Sequence, residues 1–292
     1  MSITKVALAG ATGNLGPAVL KELVSAGFEV TVLSRSTSHN FNERVHVAQV
    51  DYSSVESLKK ALLGQDALVI TLGQVGLEPH MNLVNAAVSA NVKRIIPSEF
   101  GSDTTNPNAA ASPVYADKIA IQKHLKEVAN LNTSYTLVIN GPFFDWGLQA
   151  KFLVDLTSPT PEIYDGGNQK FSTTTLAGVG QAIAGVLKNL DATSNKAIFV
   201  SSAEVSQKEL LDIAGKHVAP QEVSTKDLEK AAFSELQKPN PDGMVIAFNL
   251  LKRVIFGAGF GSQFPAKNLS NDLLGVPRLS SADIKDIVSR YV

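Results

Sequence analysis

The sequence predicts an α/β protein built on a doubly wound parallel sheet. Three observations carry this expectation. Short, continuously apolar runs alternate with helical patterns up to about residue 145. A glycine-rich turn follows the first of those runs, and 44% of the 292 residues are apolar, enough for a sizeable core. Apolar strands separated by helices belong to a parallel sheet covered on both faces. Right-handed crossovers then give the strand order 3-2-1-4-5-6.

Each element has a local reason. The first strand, Lys5–Ala9, runs into Gly10-Ala11-Thr12-Gly13-Asn14-Leu15-Gly16, and Pro17 opens a helix over 17–26. Glycine permits the tight turn and the close approach of backbone to a pyrophosphate. The helix N-terminus supplies free N–H groups and partial positive charge, and the missing N–H of Pro17 costs nothing at the first helical position. The G-x-x-G-x-x-G spacing in a strand–turn–helix context therefore points to a dinucleotide site of the Rossmann type.

The second strand, Glu29–Leu33, ends in Ser34-Arg35-Ser36. An acidic residue there would accept the ribose 2′-OH of NAD, whereas an arginine favours a 2′-phosphate. Arg35 thus selects NADP(H) as the expected cofactor. The third strand, Val45–Val50, leads to Asp51, which either approaches the adenine or caps the next helix, 54–63, whose start Ser53-Ser54-Val55-Glu56 is a capping-box pattern. Strands Ala67–Leu72, Val92–Pro97 and Ser134–Asn140 follow, with helices over 79–90 and 114–129. Ligands in such sheets lie across the carboxyl ends of the strands. The expected cofactor contacts are Gly10, Thr12, Gly13, Asn14, Leu15, Gly16, Arg35, Leu72, Gly73, Gln74, Ser98, Glu99, Phe100, Asn140, Pro142 and Phe143.

Beyond residue 150 the alternation breaks down. Ser158-Pro159-Thr160-Pro161 reads as a linker and Asp165-Gly166-Gly167-Asn168 as a turn. A helix over 177–187, a strand Lys196–Val200 and a helix opened by the capping box Ser206-Gln207-Lys208-Glu209 come next. Lys238–Gly243 reads as a loop. The expected division is a dinucleotide-binding part, 1–155, and a smaller C-terminal α/β substrate region, 156–292, which is free to return elements to the first sheet.

Composition narrows the function classes. The net charge is −1 with no basic block, which argues against nucleic acid as a partner. The absence of cysteine removes disulfides, thiolate nucleophiles and thiolate metal sites. The five histidines (39, 46, 80, 124, 217) show no metal-ligand spacing, so no metal is expected. No apolar run reaches the roughly 18 residues that span a bilayer. The longest, Met244–Gly261, is interrupted by Asn249, Lys252 and Arg253. With no leader pattern before the first strand, the expectation is a cytoplasmic monomer or homodimer acting on a small molecule, without a membrane partner.

The Gly10–Gly16 turn with Arg35, the run Pro97-Ser98-Glu99-Phe100-Gly101 and Lys118 on the following helix resemble the NmrA-like, isoflavone-reductase-like branch of the atypical short-chain dehydrogenases. The resemblance spans nearly the whole chain and is weakest beyond about residue 220. It implies an NADPH-dependent reductase, since plant members of that branch reduce phenolic compounds. It also implies that Lys118 is the catalytic lysine, in reach of the cofactor, and Arg35 the 2′-phosphate ligand. Ordinary short-chain dehydrogenases pair a tyrosine with the lysine at i,i+4. Here Tyr115 and Lys118 stand at i,i+3, so Tyr115 is either a second catalytic residue or a packing aromatic with an incidental hydroxyl. Phe100, Phe144, Trp146, Phe256 and Phe260 are the expected substrate contacts, in an apolar pocket, while Phe248 reads as core. The reading is a reductase of a small apolar or aromatic secondary metabolite (a ketone, enal or phenolic ether). A non-catalytic, NADP(H)-sensing regulator is the alternative, and Lys118, typically lacking in such regulators, favours the enzyme.

Overall fold

The computed structural model describes residues 2–36, 41, 45–73, 76–129 and 132–292. In chain order the first half contains β1 (Lys5–Ala9), α1 (Gly16–Ser25), β2 (Glu29–Ser34), β3 (Val45–Gln49), α2 (Val55–Leu62), β4 (Ala67–Ile70), α3 (Leu77–Ser89), β5 (Arg94–Ile96), α4 (Pro107–Ala110), a 3₁₀ turn (Pro113–Tyr115), α5 (Ala116–Val128) and β6 (Ser134–Ile139). The second half contains α6 (Phe144–Gln149), β7 (Glu162–Tyr164), β8 (Phe171–Thr173), α7 (Leu176–Lys188), β9 (Lys196–Phe199), β10 (Ala203–Val205), α8 (Gln207–Ile213), β11 (Gln221–Val223), α9 (Thr225–Leu236), α10 (Gly243–Phe256), α11 (Asn271–Leu274) and α12 (Ser281–Ser289).

The main sheet is parallel, in the order β3-β2-β1-β4-β5-β6-β9. The expected six-strand order is present and is extended by a seventh strand. β9 returns from the C-terminal half and pairs with β6, Thr136 opposite Lys196 through Ile139 opposite Phe199. Without it β6, an apolar strand, would present an open edge. Side chains alternate across the sheet as the pleat requires. Val6 and Leu8 join Val30, Val32 and Val69 under α1 and α7, whereas Ala7 and Ala9 join Leu68 and Ile70 under α2, α3 and α5. A third core, around Phe144, Leu153, Phe171 and Phe256, lies in the second half of the chain. No helix among the described residues is long and apolar enough to cross a membrane.

Two local expectations are corrected. The helix expected over 114–129 is broken, because Pro113 opens a 3₁₀ turn and Tyr115 has φ −105°, ψ 5° before α5 starts at Ala116. At the end of β3, Asp51 neither caps α2 nor stands free. Its carboxylate accepts from the Ser53 backbone at 2.9 Å and from the Ser53 hydroxyl at 2.7 Å, and Ser54 is the residue that caps the helix. The box at Ser206 and Glu209 forms as expected.

The lower end of the sheet holds a feature the sequence pattern does not announce. Arg94, at the start of β5, is 1% exposed. Its guanidinium donates to the hydroxyls of Ser134 (3.0 Å), Thr136 (2.7 Å) and Thr193 (2.8 Å) and to the Leu190 carbonyl (2.6 Å). Burial pushes its pKa down to about 10, against the opposing charge of Asp191, so it stays charged at neutral pH. This knot ties β5 and β6 to the chain between α7 and β9.

Candidate active site

The carboxyl ends of β1, β4, β5 and β6 open onto one cavity of about 790 Å³. Its first wall is the glycine turn, where the three glycines do different work. Gly10 has φ +89°, and a β-carbon there would stand 2.7 Å from the Thr71 backbone. At Gly16 it would stand 2.1 Å from the Gly10 carbonyl. These two let the turn pass under β4 and let α1 pack against it. Gly13 is different. Its N–H closes the turn on the Gly10 carbonyl at 3.1 Å, yet the nearest atom to an added β-carbon is 3.5 Å away. Gly13 lies on the cavity side, and the N-cap residue Leu15 has no side-chain cap for the first N–H groups of α1. An open backbone cradle at an uncapped helix N-terminus fits an anionic pyrophosphate.

The floor is the turn after β5. Ser98 donates to the Leu72 carbonyl at 2.6 Å, while Gly101 accepts from the backbone N–H groups of Asn140 (3.3 Å) and Gly141 (2.9 Å). Glu99 is 2% exposed. Its carboxylate accepts from Thr104 Oγ1 at 2.9 Å and from Gln122 Nε2 at 3.1 Å. Lys118 donates from Nζ to the main-chain carbonyl of Glu99, and its Nζ stands 5.5 Å from the centre of the Tyr115 ring. Burial pushes the Glu99 carboxyl up and the Lys118 ammonium down, and each one's charge opposes the other's shift. Tyr115 is buried, which raises its hydroxyl pKa, with Ser102 opposing and Glu99 adding to the rise. That hydroxyl faces Ser102 without a hydrogen bond of regular geometry.

The far wall is apolar. Ile246, Ala247, Leu250 and Leu251 on α10 line it, joined by Trp146 and Phe152. Rings run in contact from the sheet to that helix: Phe143 to Trp146 at 6.4 Å, Trp146 to Phe152 at 6.4 Å, and Phe152 to Phe248 at 5.6 Å.

Of the expected residues, Gly13, Asn14, Leu15, Leu72, Gly73, Ser98, Glu99, Phe100, Tyr115, Lys118, Pro142, Phe143 and Trp146 share this cavity. Gln74 lies outside the described residues. Gly10 and Gly16 shape the turn from behind. Thr12 and Arg35 are exposed outside the cavity wall, Arg35 with its charge close to Tyr52. Asn140 is buried beneath the floor, its amide donating to the Gly141 carbonyl at 2.6 Å. Three expected substrate contacts are corrected. Phe144 is fully buried because the first turn of α6 directs it into the third core. Phe256 packs between Tyr164 (4.9 Å) and Phe171 (5.4 Å). Phe260 lies under the guanidinium of Arg253, outside the cavity. The apolar segment Met244–Gly261 forms a wall through α10 positions spaced three, four and seven apart from Gly243 (Ile246, Ala247, Leu250), and that helical face was the available signal. His80, also on the wall, has Nδ1 at 3.0 Å from the Gly76 carbonyl. Among the described residues no group of three or more histidine, aspartate or glutamate side chains is placed to hold a metal ion.

The sequence model of the NmrA-like family matches residues 3–258. The chain belongs to the NmrA-like family. The oxidoreductase aprR of Aspergillus flavus is 30% identical over 285 residues, 94% of each chain. The isoflavone reductase homolog P3 of Arabidopsis thaliana is 26% identical over 270 residues, 84% of this chain and 85% of that one. Among solved structures, AtPrR2 with NADP+ and (+)-pinoresinol superposes with a TM-score of 0.80 over all of both chains at 21% identity. At that identity the likeness speaks for the fold.

Proposed function

We propose that this protein is an NADPH-dependent oxidoreductase that reduces a small, largely apolar or aromatic metabolite. One observation carries the reading: the ammonium of Lys118 stands at the floor of a cavity whose one wall is an uncapped glycine turn and whose other wall is apolar. Membership of the NmrA-like family, an oxidoreductase relative and a neighbour with bound NADP+ support it. The backbone of Gly13, Asn14 and Leu15 would hold the pyrophosphate, Arg35 the 2′-phosphate, and the turns at Leu72–Gly73, Ser98–Phe100 and Pro142–Phe143 the rest of the cofactor. When bound, the reduced nicotinamide supplies the hydride.

The protein's own part is orientation and proton management. The apolar rings and α10 exclude water and receive a flat apolar body. Lys118 then acts on the substrate oxygen. As the ammonium it stabilises or protonates that oxygen as negative charge develops, or, as the neutral amine, it removes a phenolic proton to open an ether. We assign the division of labour to residues 1–155 for the dinucleotide and 156–292 for the substrate, with α7 and β9 lent back to the first sheet.

The test is NADPH oxidation by the purified protein against a panel of aromatic ketones, enals and phenolic ethers. Turnover of at least one class is expected. Tight NADPH binding with no turnover of any class would instead mark a cofactor-sensing regulator.

A further inference from the structure

Glu99 makes more contacts than a residue in a cofactor-side turn needs. Its carbonyl takes the Lys118 ammonium, and its carboxylate takes Gln122 and Thr104. Lys118 and Gln122 stand four apart on α5, so they share one face one turn apart. The third partner closes the set, because Gln122 also donates to Thr104 at 2.9 Å. The turn itself is held from the other side by the Ser98 bond to the Leu72 carbonyl beyond β4 and by the N–H groups of Asn140 and Gly141.

We propose that Glu99 is a positioning residue: it clamps α5 at two points, Lys118 through its carbonyl and Gln122 through its carboxylate, and so holds the Lys118 ammonium, as a cation, against the cavity floor. This rests on the reading of Lys118 as the ammonium that stabilises or protonates the substrate oxygen. A carboxylate that accepts two neutral hydrogen bonds keeps its negative charge undischarged, and in the water-poor floor that charge offsets part of the cost of burying an ammonium. The other titratable groups on the walls around Lys118 are Tyr115 on the 3₁₀ turn, Asp117 beside it on α5 and His80 across the cavity on α3. Asp117 is exposed on the solvent side, and Tyr115 is held neutral by burial. The buried acidic group next to Lys118 is therefore Glu99.

The experiment is competitive acetic anhydride labelling of the full-length protein across pH, with Lys118 followed by peptide mass spectrometry. Glu99→Gln removes the charge and keeps the shape. The labelling midpoint of Lys118 is expected to fall by about one pH unit or more, the size of a close charge–charge effect. An unchanged midpoint in the folded variant would overturn the proposal, because a packing role alone would not move it. If Glu99→Gln does not fold, Gln122→Leu decides the matter. It leaves both charges and breaks the second point of the clamp, so Lys118 should label several-fold faster at fixed pH, and an unchanged rate would overturn the proposal. Labelling needs no substrate. Turnover that survives Lys118→Ala would remove the proposed chemistry while leaving the labelling result to stand or fall by itself.

Discussion

β5 has a cation at each end, Arg94 fully buried and Lys118 half-buried, and the molecule treats the two in opposite ways. Arg94 begins the strand and spreads four hydrogen bonds over all three of its nitrogens. Lys118 docks on the turn that ends the strand, and its ammonium uses one bond, to the Glu99 carbonyl, while it faces the cavity. A buried cation with all three of its nitrogens bonded is a structural tie. One with donors to spare beside an open volume is held ready for a ligand. The same strand thus separates stability at its amino end from chemistry at its carboxyl end, as the general geometry of parallel sheets leads one to expect.

The sharpest way to break this contrast is at Arg94. Arg94→Met leaves the Leu190 carbonyl and three hydroxyls without their donor, and a loss of about 3 kcal/mol in unfolding free energy is expected. NADPH affinity measured below the unfolding transition should not change. Equal stability of the variant in denaturant would show that the knot is not what ties the second half of the chain to the sheet. Lys118→Ala should do the reverse. A fall in kcat of roughly 10²-fold or more is expected, equivalent to about 2.7 kcal/mol, with little change in the melting temperature. A variant that melts early yet turns over normally would erase the contrast.

Arg35 sharpens it further, since it is a third cation, this one exposed. NADPH should bind at least about tenfold more tightly than NADH, because a charge-assisted contact contributes about 1.5–3 kcal/mol. Arg35→Ala should remove most of that preference in a titration with both cofactors. The smallest effect is expected at Tyr115. Its hydroxyl lacks a well-formed partner, so Tyr115→Phe should leave stability within about 0.5 kcal/mol, as a substitution that breaks no bond does, and slow turnover little. A loss as large as that of Lys118→Ala would mean that the two residues act as one unit.

The sheet was legible in the sequence because its strands are short apolar runs with helices between them. The glycine turn was legible from its spacing between a strand and a helix, and the chain's own packing demands glycine at Gly10 and Gly16. Lys118 emerged from a resemblance, since nothing in helix spacing separates it from Lys123 or Lys126. What stayed hidden depends on contacts far apart in sequence. Arg94 reads as an ordinary polar residue within an expected strand, and its partners Thr136 and Thr193 lie 42 and 99 positions away. Phe144 and Phe256 are aromatic in the expected neighbourhoods, but which way a ring points is decided by the third core. The apolar face of α10 was visible as a segment and not as a set of wall positions, because the neighbour it covers is a cavity formed by other elements.

The aromatic row along the cavity has a spectroscopic consequence. Trp146 is the chain's one tryptophan, and it stands on the cavity wall between Phe143 and Phe152. All indole emission of this protein therefore originates at the proposed binding site. A reduced nicotinamide absorbs where indole emits, so its arrival in the cavity should quench that emission by energy transfer, while an oxidised one should not. The protein thus has a built-in optical probe of its own redox partner, which a single cuvette can follow without label, tag or second substrate.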